Sequence, residues 1–129
     1  MSQIRILVVP PGESPYPKEI LHTLADLQCV VGGGIEALYP FDDPVGIVCN
    51  ESGKLLNLPL NRALRDEAGQ IYDIIAGVFF IVGLGNDDFV SLSDELLKKY
   101  TEVYKHPEQF IKMNSKVYAI PYPNTTAPE

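Results

Sequence analysis

The first third of the chain alternates between apolar segments and segments rich in glycine and proline. The run Ile4–Val9 stops at a Pro-Pro-Gly sequence, a pattern typical of a strand that is buried on both faces. Pro17 stands where a helix can begin, because its missing N–H costs nothing in the first helical turn. Apolar residues then recur at helical spacing, at Ile20, Leu24, Leu27 and Val31. This pattern predicts a strand followed by a helix that ends at the triple glycine 32–34.

The middle of the chain predicts a hairpin and an irregular segment. Residues 35–39 and 45–50 are apolar runs separated by prolines and aspartates, which favour a turn between two paired strands. Residues 55–64 are also apolar, but a proline and two asparagines interrupt them and they show no clean period. We expect an ordered loop there, with one helical turn at residues 62–66.

The second half predicts one more strand and one more helix. Residues 78–82 form a fourth apolar run, and Ser91 or Ser93 can cap a helix that Pro107 ends. Residues 116–120 could add an edge strand. Together the elements predict one compact α/β (α+β) domain over residues 1–120, with a mixed sheet of four to five strands and two main helices. The proline-rich residues 121–129 predict a flexible tail.

Composition and charge narrow the function classes. A chain of 129 residues with 46% hydrophobic and 21% charged residues is typical of one globular domain and not of a disordered chain. It contains no apolar run long enough to span a membrane and no export signal, so we expect a cytoplasmic protein without a membrane partner. A net charge of −7 argues against a nucleic-acid partner, because binding to phosphate backbones needs a basic face.

Asn61, Arg62 and Arg65 are the strongest candidate binding residues. With one helical turn between the two arginines, both guanidinium groups and the neighbouring amide could clamp a phosphate. The alternative is structural, with Arg62 and Arg65 bridging to nearby carboxylates at Asp66, Glu67 or Asp73.

Aromatic residues and glycines supply further candidates. Tyr39 and Tyr72 could stack on a base, although aromatic residues at such positions more often belong to the core. The triple glycine follows the predicted helix, so it is best explained as a C-cap. The alternative is that Gly33 allows a ligand to approach the backbone closely.

The sequence shows no recognisable catalytic or metal-binding motif. His22 and His106 have no histidine or cysteine at ligand spacing, and the pairs Asp42-Asp43 and Asp87-Asp88 lack the alternating ligands of a calcium loop. We therefore expect no catalytic residues, no metal and no cofactor, and an enzyme is the less favoured class.

Six segments carry a resemblance to a known family. They are LVVPPG at 7–12, VGG at 31–33, YPF at 39–41, CNE at 49–51, NRAL at 61–64 and IIAG at 74–77. In their order and spacing they resemble the bacterial and phage family catalogued as domain of unknown function 3846, over roughly residues 5–112. The resemblance implies cargo of conjugative elements and phages, and so favours an accessory or host-directed role. It implies no catalytic residue.

Three functions remain open. The first is a non-catalytic protein that sequesters a small phosphate-bearing ligand, such as a cyclic nucleotide or an ADP-ribose derivative that serves as an immune signal. The second is an acidic protein-interaction module that inhibits or recruits a host protein, and the third is a metal-dependent phosphodiesterase. Uncovered strand edges also lead us to expect a homo-oligomer.

Overall fold

The computed structural model describes residues 2–121 of the chain. Within them, ten strands and two helices follow one another. In chain order they are β1 (Gln3–Val9), β2 (Tyr16–Leu21), α1 (Leu24–Val31), β3 (Ile35–Leu38), β4 (Val45–Asn50), β5 (Leu60–Arg65), β6 (Ile71–Ala76), β7 (Phe79–Leu84), β8 (Phe89–Val90), α2 (Asp94–Val103), β9 (Glu108–Met113) and β10 (Lys116–Pro121). The α+β class predicted from the sequence is confirmed.

The main sheet has six strands, five of them in the order β2-β1-β7-β4-β3, and β8 also pairs with β7. Each of its described ladders is antiparallel, whereas the sequence predicted a mixed sheet. The reason lies in the connections: β1–β2 and β3–β4 are local hairpins, and β7 runs between β1 and β4 in the direction opposite to both. Two further two-stranded sheets, β5–β6 and β9–β10, lie outside this sheet.

Both faces of the main sheet are covered, which explains the continuous apolar runs. In β1, Ile6 and Val8 belong to the cluster that contains α1 residues, while Leu7 and Val9 belong to the cluster that contains α2 residues. Successive side chains of a strand point to opposite faces, so the inner strands β1, β4 and β7 need apolar residues at nearly every position. The β5–β6 hairpin contributes to the α2 side of the core through buried residues such as Leu64.

The prediction of a helix from Pro17 is wrong, because residues 16–21 form β2. This strand pairs with β1 along its whole length and lies at the sheet edge, where proline is tolerated. Helix α1 starts only at Leu24, after Thr23, whose hydroxyl accepts a hydrogen bond from the Asp26 N–H at 3.1 Å. Gly32 ends the helix with a left-handed conformation at φ 80°, as the sequence predicted.

The predicted loop and helical turn at residues 55–66 is also wrong in part. Residues 60–65 form β5, which pairs with β6 across a turn in which Asp66 Oδ1 accepts from the N–H groups of Ala68 and Gln70. Arg62 and Arg65 therefore lie on a strand and not one helical turn apart. The segment lacks a clean period because polar Asn61 and Arg62 are themselves buried.

The C-terminal part of the described chain forms a hairpin of its own. The predicted edge strand at 116–120 exists as β10, but it pairs with β9 and not with the main sheet. Of the predicted tail, Pro121 is the last residue of β10, and residues 122–129 lie outside the described part. Neither described helix is long and apolar enough to cross a membrane.

Candidate functional site

A cleft of about 420 Å³ opens between the β5–β6 hairpin, the β3–β4 loop and the segment that joins α2 to β9. Its polar and aromatic wall includes Arg62, Arg65, Tyr72, Tyr104, His106 and Glu108. Two arginines and one carboxylate thus line the same cleft, in a chain whose net charge is −7. The cleft brings together three of the six predicted site residues, Arg62, Arg65 and Tyr72.

Arg62 forms the buried floor of the cleft, with only 2% of the residue exposed. Its Nη2 donates to the carbonyl oxygens of Glu13 and Tyr104, each at 2.8 Å, and its Nη1 donates to Asn61 Oδ1 at 2.8 Å. One guanidinium group therefore ties the β1–β2 turn and the end of α2 to strand β5. These bonds give Arg62 a structural role in the wall of the site.

Asn61 is fully buried next to Arg62 and lies outside the lining of the cleft. Its Nδ2 donates to the carbonyl oxygen of Val9 at 2.7 Å and to that of Gly77 at 2.9 Å. The amide joins the end of β1 to the connection between β6 and β7. Its three hydrogen bonds, including the one from Arg62, hold the β5–β6 hairpin against the main sheet.

Arg65 faces the open side of the cleft. Its side chain is 40% exposed, and its Nη2 lies 2.7 Å from Glu108 Oε2. The alternative prediction gave this arginine Asp66, Glu67 or Asp73 as partner, and the structure corrects it to Glu108 from the distant strand β9. Glu108 is further fixed because its Oε1 accepts a hydrogen bond from the Ala63 N–H at 2.8 Å.

Two tyrosines of the cleft differ in burial. Tyr72 on β6 is 57% exposed, so one face of its ring is open to a ligand. Tyr104 at the end of α2 is buried and packs edge-on against Phe79, with ring centroids 5.4 Å apart. Burial raises the pKa of the Tyr104 hydroxyl, so this group remains neutral at ordinary pH.

The β3–β4 loop, which supplies Phe41 to the cleft, is fastened to α2. Asp43 Oδ2 accepts hydrogen bonds from Lys99 Nζ at 2.5 Å and from the Tyr100 hydroxyl at 2.8 Å. The bond from Lys99, followed by that from Tyr100, lowers the pKa of Asp43 from its usual value of 3.8. Phe41 packs on the Tyr100 ring at a centroid distance of 4.7 Å, so this wall of the cleft is held in place.

Tyr39 and Gly33 lie elsewhere. Tyr39 is 62% exposed and borders a shallow cavity next to residues 84–89. Gly33 lies against Asn50, whose Nδ2 would be only 2.9 Å from a Cβ at this position and donates instead to the Val31 carbonyl oxygen. The close approach at Gly33 is thus to a side chain of the protein itself.

Sequence reasoning missed Glu108, and it did not place His106 in the candidate binding site. Both come from the segment after α2; Glu108 meets Arg65 through the contact between β5 and β9, and His106 lines the same cleft. Nothing in their local spacing points to β5. Among residues 2–121, no group of three or more His, Cys, Asp or Glu side chains is placed to hold a metal ion.

A family model described as "Domain of unknown function (DUF3846)" matches residues 4–105, which is most of the chain. The chain belongs to this family. No curated protein and no solved structure matches it. The DUF3846 match includes Arg62, Arg65 and Tyr72 but ends before His106 and Glu108, so the cleft combines residues from inside and outside the matched segment.

Proposed function

We propose that the protein is a non-catalytic binding protein that retains a small phosphate-bearing ligand with an aromatic base. The observation that carries the proposal is the lining of the cleft, which holds two arginines, Arg62 and Arg65, and, among the described residues, a single carboxylate, Glu108. In a chain of net charge −7, such a concave surface is a local exception. A locally positive cleft attracts anions even when the whole protein is negative.

Each part of the cleft has a different task in this proposal. Arg65 is partly exposed and donates to the ligand phosphate, and His106 lines the same cleft. Arg62 is held by carbonyl oxygens, so it contributes its positive field and shapes the floor. The open face of Tyr72 stacks on the base, an arrangement that is tolerant of base identity.

A protein that sequesters a signal molecule must bind it tightly and need not convert it into a product. We therefore extend the proposal to a counter-defence role, in which the cleft removes a cyclic nucleotide or an ADP-ribose derivative from an immune pathway. Membership of DUF3846 is compatible with this role but assigns no activity to it. The ligand should be recovered intact, which separates this function from that of a phosphodiesterase.

Thermal unfolding of the full chain with a nucleotide panel tests the proposal. The panel contains cyclic dinucleotides, cyclic trinucleotides, ADP-ribose derivatives and mononucleotides. A ligand at about 1,000 times its Kd stabilises the native state by about 4 kcal/mol, which raises Tm by roughly 10 °C or more. We expect such a shift with at least one compound and its recovery in unaltered form.

A matched pair of tyrosine variants locates the binding. Tyr72→Ala should abolish most of the shift, while Tyr39→Ala, which removes an equally exposed ring outside the cleft, should leave it intact. Equal effects of the two substitutions on the Tm shift would show that the ligand does not bind in the cleft. If no compound of the panel raises Tm, the second function, an acidic module that binds a host protein, becomes the favoured one.

We also infer that the homo-oligomer forms through β10. The edges of the main sheet are protected, since β2 carries Pro17, Lys18 and Glu19 and β3 has only four residues. In β10, residues 117–120 are uncharged, and its ladder with β9 leaves the other edge unpaired in the described chain. In a twofold antiparallel pair of β10 strands, the two Lys116 side chains lie at opposite ends and do not face each other.

Light scattering coupled to size exclusion tests this inference. Tyr118→Lys places a charge near the twofold axis of the pair and should convert the oligomer to a monomer, because like charges across a ladder destabilise it. Tyr16→Lys makes the same exchange on the edge strand β2 and should have no effect. A monomeric parent chain, or equal masses for both variants, would contradict the inference.

A further inference from the structure

Glu108 is the one carboxylate among the described residues that line the cleft. Its side chain is 14% exposed and is fixed from two sides, by the Ala63 N–H and by Arg65. A bare phosphate would be repelled by this group. A ligand that offers hydrogen-bond donors to Glu108 in addition to its anionic group avoids this repulsion.

The two contacts leave part of the carboxylate's capacity unused. Each carboxylate oxygen can accept about two hydrogen bonds. Oε1 accepts from Ala63 and Oε2 accepts from Arg65, so each oxygen can accept one more from a ligand. The two oxygens of a fixed carboxylate match two adjacent N–H donors, while the neighbouring guanidinium group matches acceptors.

Among the nucleobases, guanine carries this combination of groups. Its N1–H and exocyclic N2–H donors are adjacent, and its O6 and N7 are acceptors that arginine binds in a bidentate manner. Adenine has a single amino group next to a ring acceptor, and hypoxanthine lacks the N2 amino group. Stacking on Tyr72 does not discriminate between these bases, so selection depends on Glu108.

We propose that the cleft selects a guanine base, through donation of the base N1–H and N2–H groups to Glu108. This inference rests on the proposed nucleotide-binding function and adds the identity of the base. Glu108 acts as a specificity-determining residue and touches the base directly. It lies outside the segment matched by the family model, so the selection belongs to the part of the cleft that follows α2.

Titration calorimetry of the full chain with guanosine, inosine and adenosine 5′-monophosphates tests the selection. The inosine compound differs from the guanosine compound only by the missing N2 amino group. We expect guanosine monophosphate to bind about tenfold or more tightly than either of the other two, which is the discrimination of one good polar contact to a base edge.

Glu108→Gln supplies the second arm of the experiment. Its amide oxygen can still accept from Ala63, but its NH₂ group faces the donors of guanine, so the preference over inosine monophosphate should disappear. Glu102→Gln removes an exposed carboxylate of α2 outside the cleft and should retain the preference. The fold of each variant is checked by its unfolding transition without ligand.

The outcomes separate this inference from the function on which it rests. Equal binding of the three monophosphates overturns guanine selection and leaves the binding cleft in place. Guanine preference that survives Glu108→Gln overturns the role of Glu108. Binding of an adenine compound such as ADP-ribose without any binding of guanosine monophosphate overturns the inference alone, and the absence of all nucleotide binding overturns both.

Discussion

Strand β5 carries two arginines three positions apart, one buried and one at the surface. Arg62 is enclosed by carbonyl oxygens from the β1–β2 turn and the end of α2, whereas Arg65 keeps much of its side chain in solvent and has a carboxylate partner. The two share a residue type and a strand, but one organises the fold and the other is available to a ligand. Candidate binding residues are therefore better ranked by burial and by partners than by charge.

Removal of the buried arginine should have the largest effect. Arg62→Ala leaves the carbonyl oxygens of Glu13 and Tyr104 without their donor in a buried position, and we expect a loss of about 3 kcal/mol or more in the free energy of unfolding. Urea denaturation followed by circular dichroism measures it. A loss below about 1 kcal/mol would show that water replaces the guanidinium group and that the comparison is wrong.

The asparagine that supports the buried arginine should come second. Asn61→Ala removes the donor to the Val9 and Gly77 carbonyl oxygens, with an expected cost of about 2 kcal/mol. Asn86→Ala is the control, because Asn86 is exposed in the loop between β7 and β8. Equal denaturation midpoints for the two variants would show that the hydrogen bonds of Asn61 do not stabilise the fold.

Removal of the exposed arginine should change binding and hardly change stability. Arg65→Ala breaks a partly exposed ion pair, so we expect less than about 1 kcal/mol of destabilisation. Binding of the nucleotide identified in the panel should weaken about tenfold or more, because the donor to the phosphate is lost. Lys98→Ala, on the exposed side of α2, should change neither quantity. Unaltered affinity in Arg65→Ala would assign the phosphate to another group.

The smallest expected effect concerns Asp43 in the wall of the cleft, and it is present at neutral pH and lost in acid. The pKa of Asp43 is lowered in the folded state by its bonds to Lys99 and Tyr100, so its contribution is fully present above its unfolded pKa near 3.8 and is lost as the pH falls through the lower folded value. Asp43→Asn should be slightly less stable than the parent at neutral pH and should approach it below about pH 4. Denaturation midpoints measured at pH 7 and in the acid range give this difference, and a gap that is constant with pH would exclude the carboxylate as its cause.

Local sequence patterns correctly predicted the strands whose two faces are both buried. The strands at residues 4–9 and 45–50 are buried on both faces, so their apolar runs are direct signals of structure. The helical spacing from Ile20 to Val31 was misleading because Ile20 belongs to β2 and the rest belongs to α1. Thr23 followed by Asp26 is an N-cap signal that could have located the start of the helix.

The site was predictable only in part. A turn with Asp66 and Gly69 between two apolar segments could have indicated the β5–β6 hairpin, and with it the position of Arg65 relative to Tyr72. The meeting of Arg65 with Glu108 depends on the contact between β5 and β9, which no local pattern contains. The burial of Arg62 likewise depends on carbonyl oxygens from segments far away in the sequence.

Strand β7 enters the sheet late, since it pairs with β1 on one side and with β4 on the other. During synthesis residues 3–50, which supply both hairpins, leave the ribosome before residues 79–84, and neither hairpin shares a ladder with the other. Contacts between positions as distant as Leu7 and Ile81 make closure slow relative to hairpin formation. We therefore expect the two hairpin segments of the nascent chain to remain separate, with apolar surface uncovered, until β7 joins them. The sheet should then form in one cooperative step.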